Sequence, residues 1–349
     1  MDPFEHLRMV KDRAVGILPR PDDIRRIRAL RGTAPGFDRA VWRAMCGRGV
    51  LGMRIPEESG GSGLDMRAFR GLAEEFGSRL TPEPLIQAAM AAELLPADHL
   101  PAVLSGDRIV LPAWQEHANS ITTAGDTVLR DGRLTGRKML IPMAAGADAF
   151  LVTVPGGLAL VERTAPGLHL DIQPTPDGGN VGTLTLDNAP AEPIDGDPTD
   201  ALDAAIMATA AYLLGLSDRA YAVTREVMQT QARLGRTNNA LPALSRHIGD
   251  IEIQLSLTRT VVDAAAHAID TEGWRPARQA AVSRAKVRAA EAAIMVTRAC
   301  VQLHGDLGNI GTADIGLFQR KAMVLAPLYG AASVHRARFR AAAPESADE

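Results

Sequence analysis

The chain has 349 residues, 46% of them hydrophobic and 23% charged, with a formal net charge of −3. That is enough chain for two or three packed units with a large core and no need of disulfide staples. The charge gives no basic footprint for nucleic acid, and 4% aromatic residues are too few for a base-stacking platform.

The two cysteines, Cys46 and Cys300, form no CxxC and have no histidine at ligand spacing. They fit a reducing compartment and argue against a zinc site, so no metal is expected. The longest apolar stretch, Ala204 to Leu216, is interrupted by Thr209 and Gly215 and falls short of a membrane span. The amino-terminal MDPFEHLRMVKDR has no apolar signal core, so a cytoplasmic location is expected.

Taken in chain order, residues 1–108 read as a helical domain. Ile24, Ile27 and Leu30 mark one helix face and arginines occupy the others, a solvated cationic surface preceded by Asp22 and Asp23. Phe37–Gly47 and Met66–Arg79 read as further helices, and PEESGGSG between them as an irregular loop, because Pro56 lacks a donor and glycines permit unusual backbone angles. Residues 109–195 change to short β-type runs, the mark of a β-barrel or sandwich. Asp131-Gly132 is the signal of a type I′ hairpin, Gly156-Gly157 suggests a second, and Ala189–Pro198, with three prolines, reads as a linker. Residues 200–342 are alanine-rich, with helices expected over 200–234, 241–271, 276–304 and 314–340, an antiparallel four-helix bundle followed by an acidic tail at 343–349.

Several chemical signatures are missing from the sequence: GxSxG, HExxH, GxxxxGK[ST] and the Glu-x-x-His pair of di-iron bundles. The run Gly305-Asp306-Leu307-Gly308-Asn309-Ile310-Gly311 lies between two helices, where it reads either as a phosphate cradle or as a helix C-cap and turn. Asp263 and His267, at i and i+4, have the spacing of a surface pair.

The order of helical, β and helical parts, with four phrases in sequence, resembles the acyl-CoA dehydrogenase family from about Asp38 to Arg340. VWRAMCGRGVLGMRIPEESGGSGL is similar to the family's helix and loop ahead of a paired-glycine turn. LTGRKMLIPMAAGADAFLV is similar to its Asn-Gly-x-Lys and Ala-Asp strands, and the run from Leu214 to Ile251 to its first bundle helices. VQLHGDLGNIGTADIGLFQR is similar to its Gln-x-x-Gly-Gly-x-Gly loop. The resemblance implies an α+β fold with an N-terminal helical domain, a middle β-barrel and a C-terminal four-helix bundle. It also implies FAD, an acyl-CoA substrate and α,β-desaturation, in which a glutamate removes the α-proton while hydride leaves for the flavin. An α-proton is acidic only beside a polarised thioester carbonyl, so a carboxylate must reach it in a dry pocket.

The family carries that carboxylate at one of two positions. The first, in a Tyr-Glu-Gly-Thr phrase, corresponds to Leu328-Tyr329-Gly330-Ala331, with Tyr329 in place of glutamate. The second lies ten residues ahead of the phrase represented by Gly215, Leu216, Arg219 and Ala220, and is Ala205. Alanine takes no proton, and a phenol with an ordinary pKa near 10 is a poor base at neutral pH.

Flavin contacts implied by the resemblance are eroded in parallel. Leu140-Ile141-Pro142 stands where the family has Trp-x-Thr or Ser, and Glu116–Ser120 where it has Glu-Pro-x-x-Gly-Ser-Asp. Gln231 replaces an arginine, Leu234 a phenylalanine, and Asp306 puts a carboxylate where diphosphate would pass. Gln302, Gly305, Gly308, Thr312 and Arg233 remain as candidate cofactor contacts. The resulting expectation is a noncatalytic or half-site subunit of a heteromeric, tetrameric acyl-CoA dehydrogenase, paired with a homologous subunit and similar to the forms that act on steroid side chains. Two other readings stay open: a self-sufficient flavoenzyme using a displaced acid such as Asp203, and a flavin-free enzyme with Tyr329, His304 or His335 carrying protons.

Overall fold

A computed structural model describes residues 12, 16, 18, 24–123, 125–233, 241–306 and 314–342; the side chains at 232, 241–247 and 306 also lie outside the description. The first helices are α1 (Ile24–Leu30), α2 (Arg39–Cys46), α3 (Met66–Ser78), α4 (Leu85–Ala92) and α5 (Leu100–Leu104). At α2 the Asp38 carboxylate accepts the Ala40 N–H at 2.8 Å, satisfying a donor that the first helical turn leaves open. The cationic face expected around α1 is not wholly solvated, since Arg26 pairs with the buried Glu83. PEESGGSG forms a single 3₁₀ turn at Glu57–Ser59, closed by Gly60 in the left-handed region at φ 85°.

Two separate sheets follow, built from β1 (Val110–Ala113), β2 (Val128–Arg130), β3 (Arg133–Pro142), β4 (Ala149–Val154), β5 (Gly157–Glu162), β6 (Leu168–Pro174), β7 (Asn180–Pro190) and β8 (Glu192–Ile194). Their orders are β1-β4-β5-β8 and β2-β3-β7-β6, antiparallel except for the parallel β1–β4 pair. The expected β-barrel is therefore wrong. A closed barrel pairs every strand on both sides, whereas β1 and β8, and β2 and β6, are edges. The sequence marks these edges with three-residue strands at β2 and β8 and with Pro112, Pro174 and Pro193, which cannot donate to a ladder. The Asp131-Gly132 hairpin forms as expected, with φ of 49° and 71°. In the second hairpin Val154 pairs with Gly157, so Pro155 and Gly156 make the turn. The segment read as a linker after Ala189 instead carries the end of β7 and the whole of β8.

The remaining helices are α6 (Thr199–Arg233), α7 (Leu241–Thr271), α8 (Arg275–Asp306), α9 (Ile315–Leu325) and α10 (Ala332–Ala342). The expected last helix is broken in two: Pro327 removes an N–H, and Tyr329 and Gly330 adopt φ of 59° and 104°. α6, over Thr199–Gln231, is long and apolar enough by composition to cross a membrane, but 89% of its apolar window is buried inside the protein.

By contacts the chain divides into two units, one of 1–19, 25–69 and 82–205, the other of 20–24, 70–81 and 206–349. The first holds both sheets and a core that includes the buried Trp42 and Trp114; the second contains the exposed Trp274. Within the second unit α3 and α6 meet backbone to backbone. A Cβ at Gly215 would lie 1.8 Å from the Glu74 carbonyl oxygen, and one at Gly77 1.9 Å from that of Tyr212, so only glycine fits either position.

Candidate functional site

Ala205 on α6 is 2% exposed, and Asp203 two residues before it is 1% exposed. Nothing at position 205 can accept a proton. Tyr329 is 1% exposed in the connection between α9 and α10, and burial pushes its phenol well above the ordinary range. At neutral pH it is a neutral hydroxyl.

Three side chains hold that connection. His335, near the start of α10, approaches the Tyr329 carbonyl through Nε2 at 2.9 Å and the Ser283 hydroxyl through Nδ1 at 3.3 Å. A carbonyl only accepts, so Nε2 carries the proton and Nδ1 accepts from Ser283. Burial, then the Lys286 charge, pull the imidazole down to about 3. Lys286 on α8 is 1% exposed and donates to the carbonyls of Ala326 at 2.6 Å and Leu325 at 3.3 Å, capping the end of α9. Burial alone lowers its ammonium to about 7. Ser283 and Lys286 were not singled out in the sequence: a serine and a lysine in an alanine-rich helix carry no local signature. His335, weighed as a proton carrier, spends both ring nitrogens on this support. His304 is also buried, which lowers its pKa, and its Nε2 has no hydrogen-bond partner among the described residues.

Along α8 an open groove of about 720 Å³ brings Gln302 and Arg298 together with Ile294, Pro327 and Ala331. The structure thus joins Gln302 to the connection that carries Tyr329, although Tyr329 itself does not line the groove. Gly305 sits half-buried in the last turn of α8. Arg233 ends α6 exposed and does not line the groove. Gly308, Thr312 and Leu234 lie outside the described residues.

In the first unit, β3 carries Lys138, fully buried, with Nζ 2.7 Å from the Glu116 carboxylate and 3.0 Å from the Thr153 hydroxyl. Burial raises the Glu116 pKa, but bonds from Lys138, Thr127 and the backbone of Asp126 and Thr127 outweigh it and bring the carboxyl to about 2. For Lys138 burial lowers the pKa and Glu116 opposes it. Glu116, His117 and Asp126 bring possible ligand atoms within 4.8 Å of one another, but both Glu116 oxygens already accept from N–H donors. Glu116 is a support for β3. Leu140, where the resemblance would put a flavin-facing ring, is 39% exposed at φ 57°, beside a register shift between Lys138 and Ile141.

Asp263 pairs with Arg70 at 2.9 Å, so the surface pair forms with a different partner from His267. Both thiols are buried, which raises Cys46 to about 12 and Cys300 to about 11 and leaves neither a nucleophile at neutral pH.

A helical start, two small sheets and long closing helices describe an acyl-CoA dehydrogenase-like protein. The profile of the acyl-CoA dehydrogenase C-terminal domain matches residues 198–343, and that of the N-terminal domain residues 20–95. The chain belongs to the acyl-CoA dehydrogenase superfamily. Acyl-CoA dehydrogenase IpdE2 of Mycobacterium tuberculosis is 25% identical over 327 residues, which span 92% of each chain. Acyl-CoA dehydrogenase FadE27 of the same organism is 26% identical over 297 residues, 78% of this chain and 79% of that one. Among solved structures, a variant of the Tcur3481-Tcur3483 steroid ACAD superimposes with a TM-score of 0.87 at 28% identity, and covers 98% of both chains. The ChsE4-ChsE5 complex from Mycobacterium tuberculosis gives 0.82 at 22% identity, again over 98% of both, a likeness of fold.

Proposed function

We propose that this chain is the half-site or noncatalytic subunit of a heteromeric FAD-dependent acyl-CoA dehydrogenase, whose homologous partner supplies the base for α,β-desaturation of an acyl-CoA. The observation that carries this reading is the pair of side chains at the base positions. Ala205 has no ionisable group, and the buried Tyr329 phenol holds its proton across the neutral range. Two neighbouring solved structures are named as two-component assemblies, Tcur3481-Tcur3483 and ChsE4-ChsE5, and the first is called a steroid ACAD. They support a heterotetramer and a steroid-derived acyl chain. A cytoplasmic address, and the division into 1–108, 109–195 and 200–342, belong to the same proposal.

The residues fit FAD in part. On β3, Leu140-Ile141-Pro142 offers the ring no side-chain donor, and Pro142 has no N–H. On α8, Gln302 and Arg298 line a groove with donors suited to the polar, phosphate-bearing portion. FAD, when bound, would supply the hydride acceptor. This chain would contribute Gln302, with Gly305, Gly308 and Arg233 as further contacts, and no acid or base.

Co-expression with a homologous dehydrogenase subunit tests the reading. Flavin per chain is measured with and without that subunit, together with acyl-CoA-dependent flavin reduction. The expected result is substoichiometric flavin and no turnover in the isolated chain, and full loading in the complex. An isolated chain that is stoichiometrically yellow and reduced by an acyl-CoA would refute it.

A further inference from the structure

A second concavity, of about 390 Å³, lies where α10 packs along α8, and is lined by Arg284, Arg288, Glu291, Arg336, Phe339 and Arg340 among others. Its charge runs against that of the chain. Four guanidinium groups and one carboxylate face one space in a protein of net charge −3. The spacing makes the cost explicit, because Arg284 and Arg288 on α8, and Arg336 and Arg340 on α10, are like charges at i and i+4, an arrangement that weakens a helix. Among the described residues, Glu291 answers only Arg336. Arg284 and Arg340 have no hydrogen-bond or ion-pair partner among the described residues, and Nη2 of Arg288 is buried without an acceptor. A buried guanidinium nitrogen with no acceptor bears a desolvation cost that a bound anion would remove.

We infer that this α8–α10 groove, which meets the Gln302 groove at Glu291, is a binding site for a phosphorylated nucleoside, independent of the half-site reading. Planar guanidinium forks match phosphate oxygens two at a time, and three unengaged arginines suit a group of at least two negative charges. The volume exceeds that of a lone ion and falls at the small end of ligand pockets. Phe339, 37% exposed, gives the wall an aromatic face for a base. Such a ligand could be a free nucleotide or the nucleotide end of a coenzyme A ester, which share the same chemistry.

Calorimetric titration of the full chain with ADP, 3′,5′-ADP, coenzyme A, adenosine and inorganic phosphate tests the assignment, repeated on Arg288→Ala and on the doubly exposed variant Arg284→Ser/Arg340→Ser. The latter changes only exposed side chains and so keeps the test available if Arg288→Ala does not fold. The expected result is that at least one nucleotide binds about tenfold or more tighter than adenosine or phosphate, and loses at least tenfold in the double variant. Equal affinity for ADP and coenzyme A marks a free-nucleotide site, and tight binding of both 3′,5′-ADP and coenzyme A with weak binding of ADP marks the ester's nucleotide end; both support the inference. Binding of phosphate as tight as that of ADP, or affinity unchanged by the arginine substitutions, overturns it. So does the absence of any nucleotide binding, whether or not the double variant also loses a co-purifying subunit, an outcome that would make the groove a protein interface.

Discussion

Two buried lysines, one in each unit, solve the same problem in opposite ways. Lys138 meets a carboxylate: Glu116 accepts a hydrogen bond from its ammonium at 2.7 Å and is itself held by backbone N–H groups. Among the described residues, Lys286 meets only the carbonyls of Leu325 and Ala326. The first is a charge whose burial is opposed by a carboxylate partner. The second is a desolvated charge with dipoles for company, and its pKa falls to about 7. The sheet region is thus braced by an ion pair, whereas the connection carrying Tyr329 rests on groups whose protonation changes near or below neutral pH.

The largest expected effect comes from breaking the compensated pair. Lys138→Met strands the Glu116 carboxylate and is expected to cost about 3–5 kcal/mol in chemical denaturation followed by circular dichroism. Adding Glu116→Gln should recover most of that loss; if the double variant is no better than the single, the pairing is not what braces β3.

Next is Lys286, where pH is the probe. Its folded pKa lies below the unfolded value of 10.5, so the unfolded chain binds more protons between about 7 and 10.5 and stability rises with pH over that window. Lys286→Met should abolish a rise of a few kcal/mol, so that raising pH from about 6 to 9 turns against the variant relative to wild type. Parallel stability curves for the two proteins would refute the contrast between the lysines.

His335 extends the comparison to acid. With its pKa lowered from 6.5 to about 3, stability is lost as pH falls through that interval, because the unfolded imidazole protonates first. His335→Gln should flatten this part of the acid limb by about 1–3 kcal/mol while leaving the loss that follows Glu116 protonation below about pH 4. The smallest effect is expected from Tyr329→Phe, about 1 kcal/mol of stability and less than a threefold change in turnover of the complex. A far larger fall in turnover would make Tyr329 a proton carrier.

What the sequence disclosed was mostly local. Asp131-Gly132 announced its hairpin because a two-residue turn is specified by the residues inside it. The termini of α6 and α7 were legible from composition and from the residues between them. The sheets were misjudged because closure into a barrel depends on pairing between distant strands, and the proline-marked edges β1, β6 and β8 were the available warning. The break between α9 and α10 was signalled by Pro327 and Gly330 but hidden by the alanine-rich pattern around them. At the site, the sequence named Ala205 and Tyr329 only through the resemblance, and the structure shows both to be buried. The support under Tyr329 was not legible, since Ser283, Lys286 and His335 come together only through packing of α8 against α10.

The distribution of tryptophan makes the two units unequal as reporters of their own unfolding. The chain has three tryptophans. Trp42 and Trp114, 0% and 5% exposed, belong to the first unit, while Trp274 in the second is 54% exposed. Intrinsic fluorescence will therefore red-shift when the sheet-bearing unit opens and respond weakly when the helices around Lys286 do. A mismatch between emission and helical ellipticity during denaturation would then resolve the two units without any label.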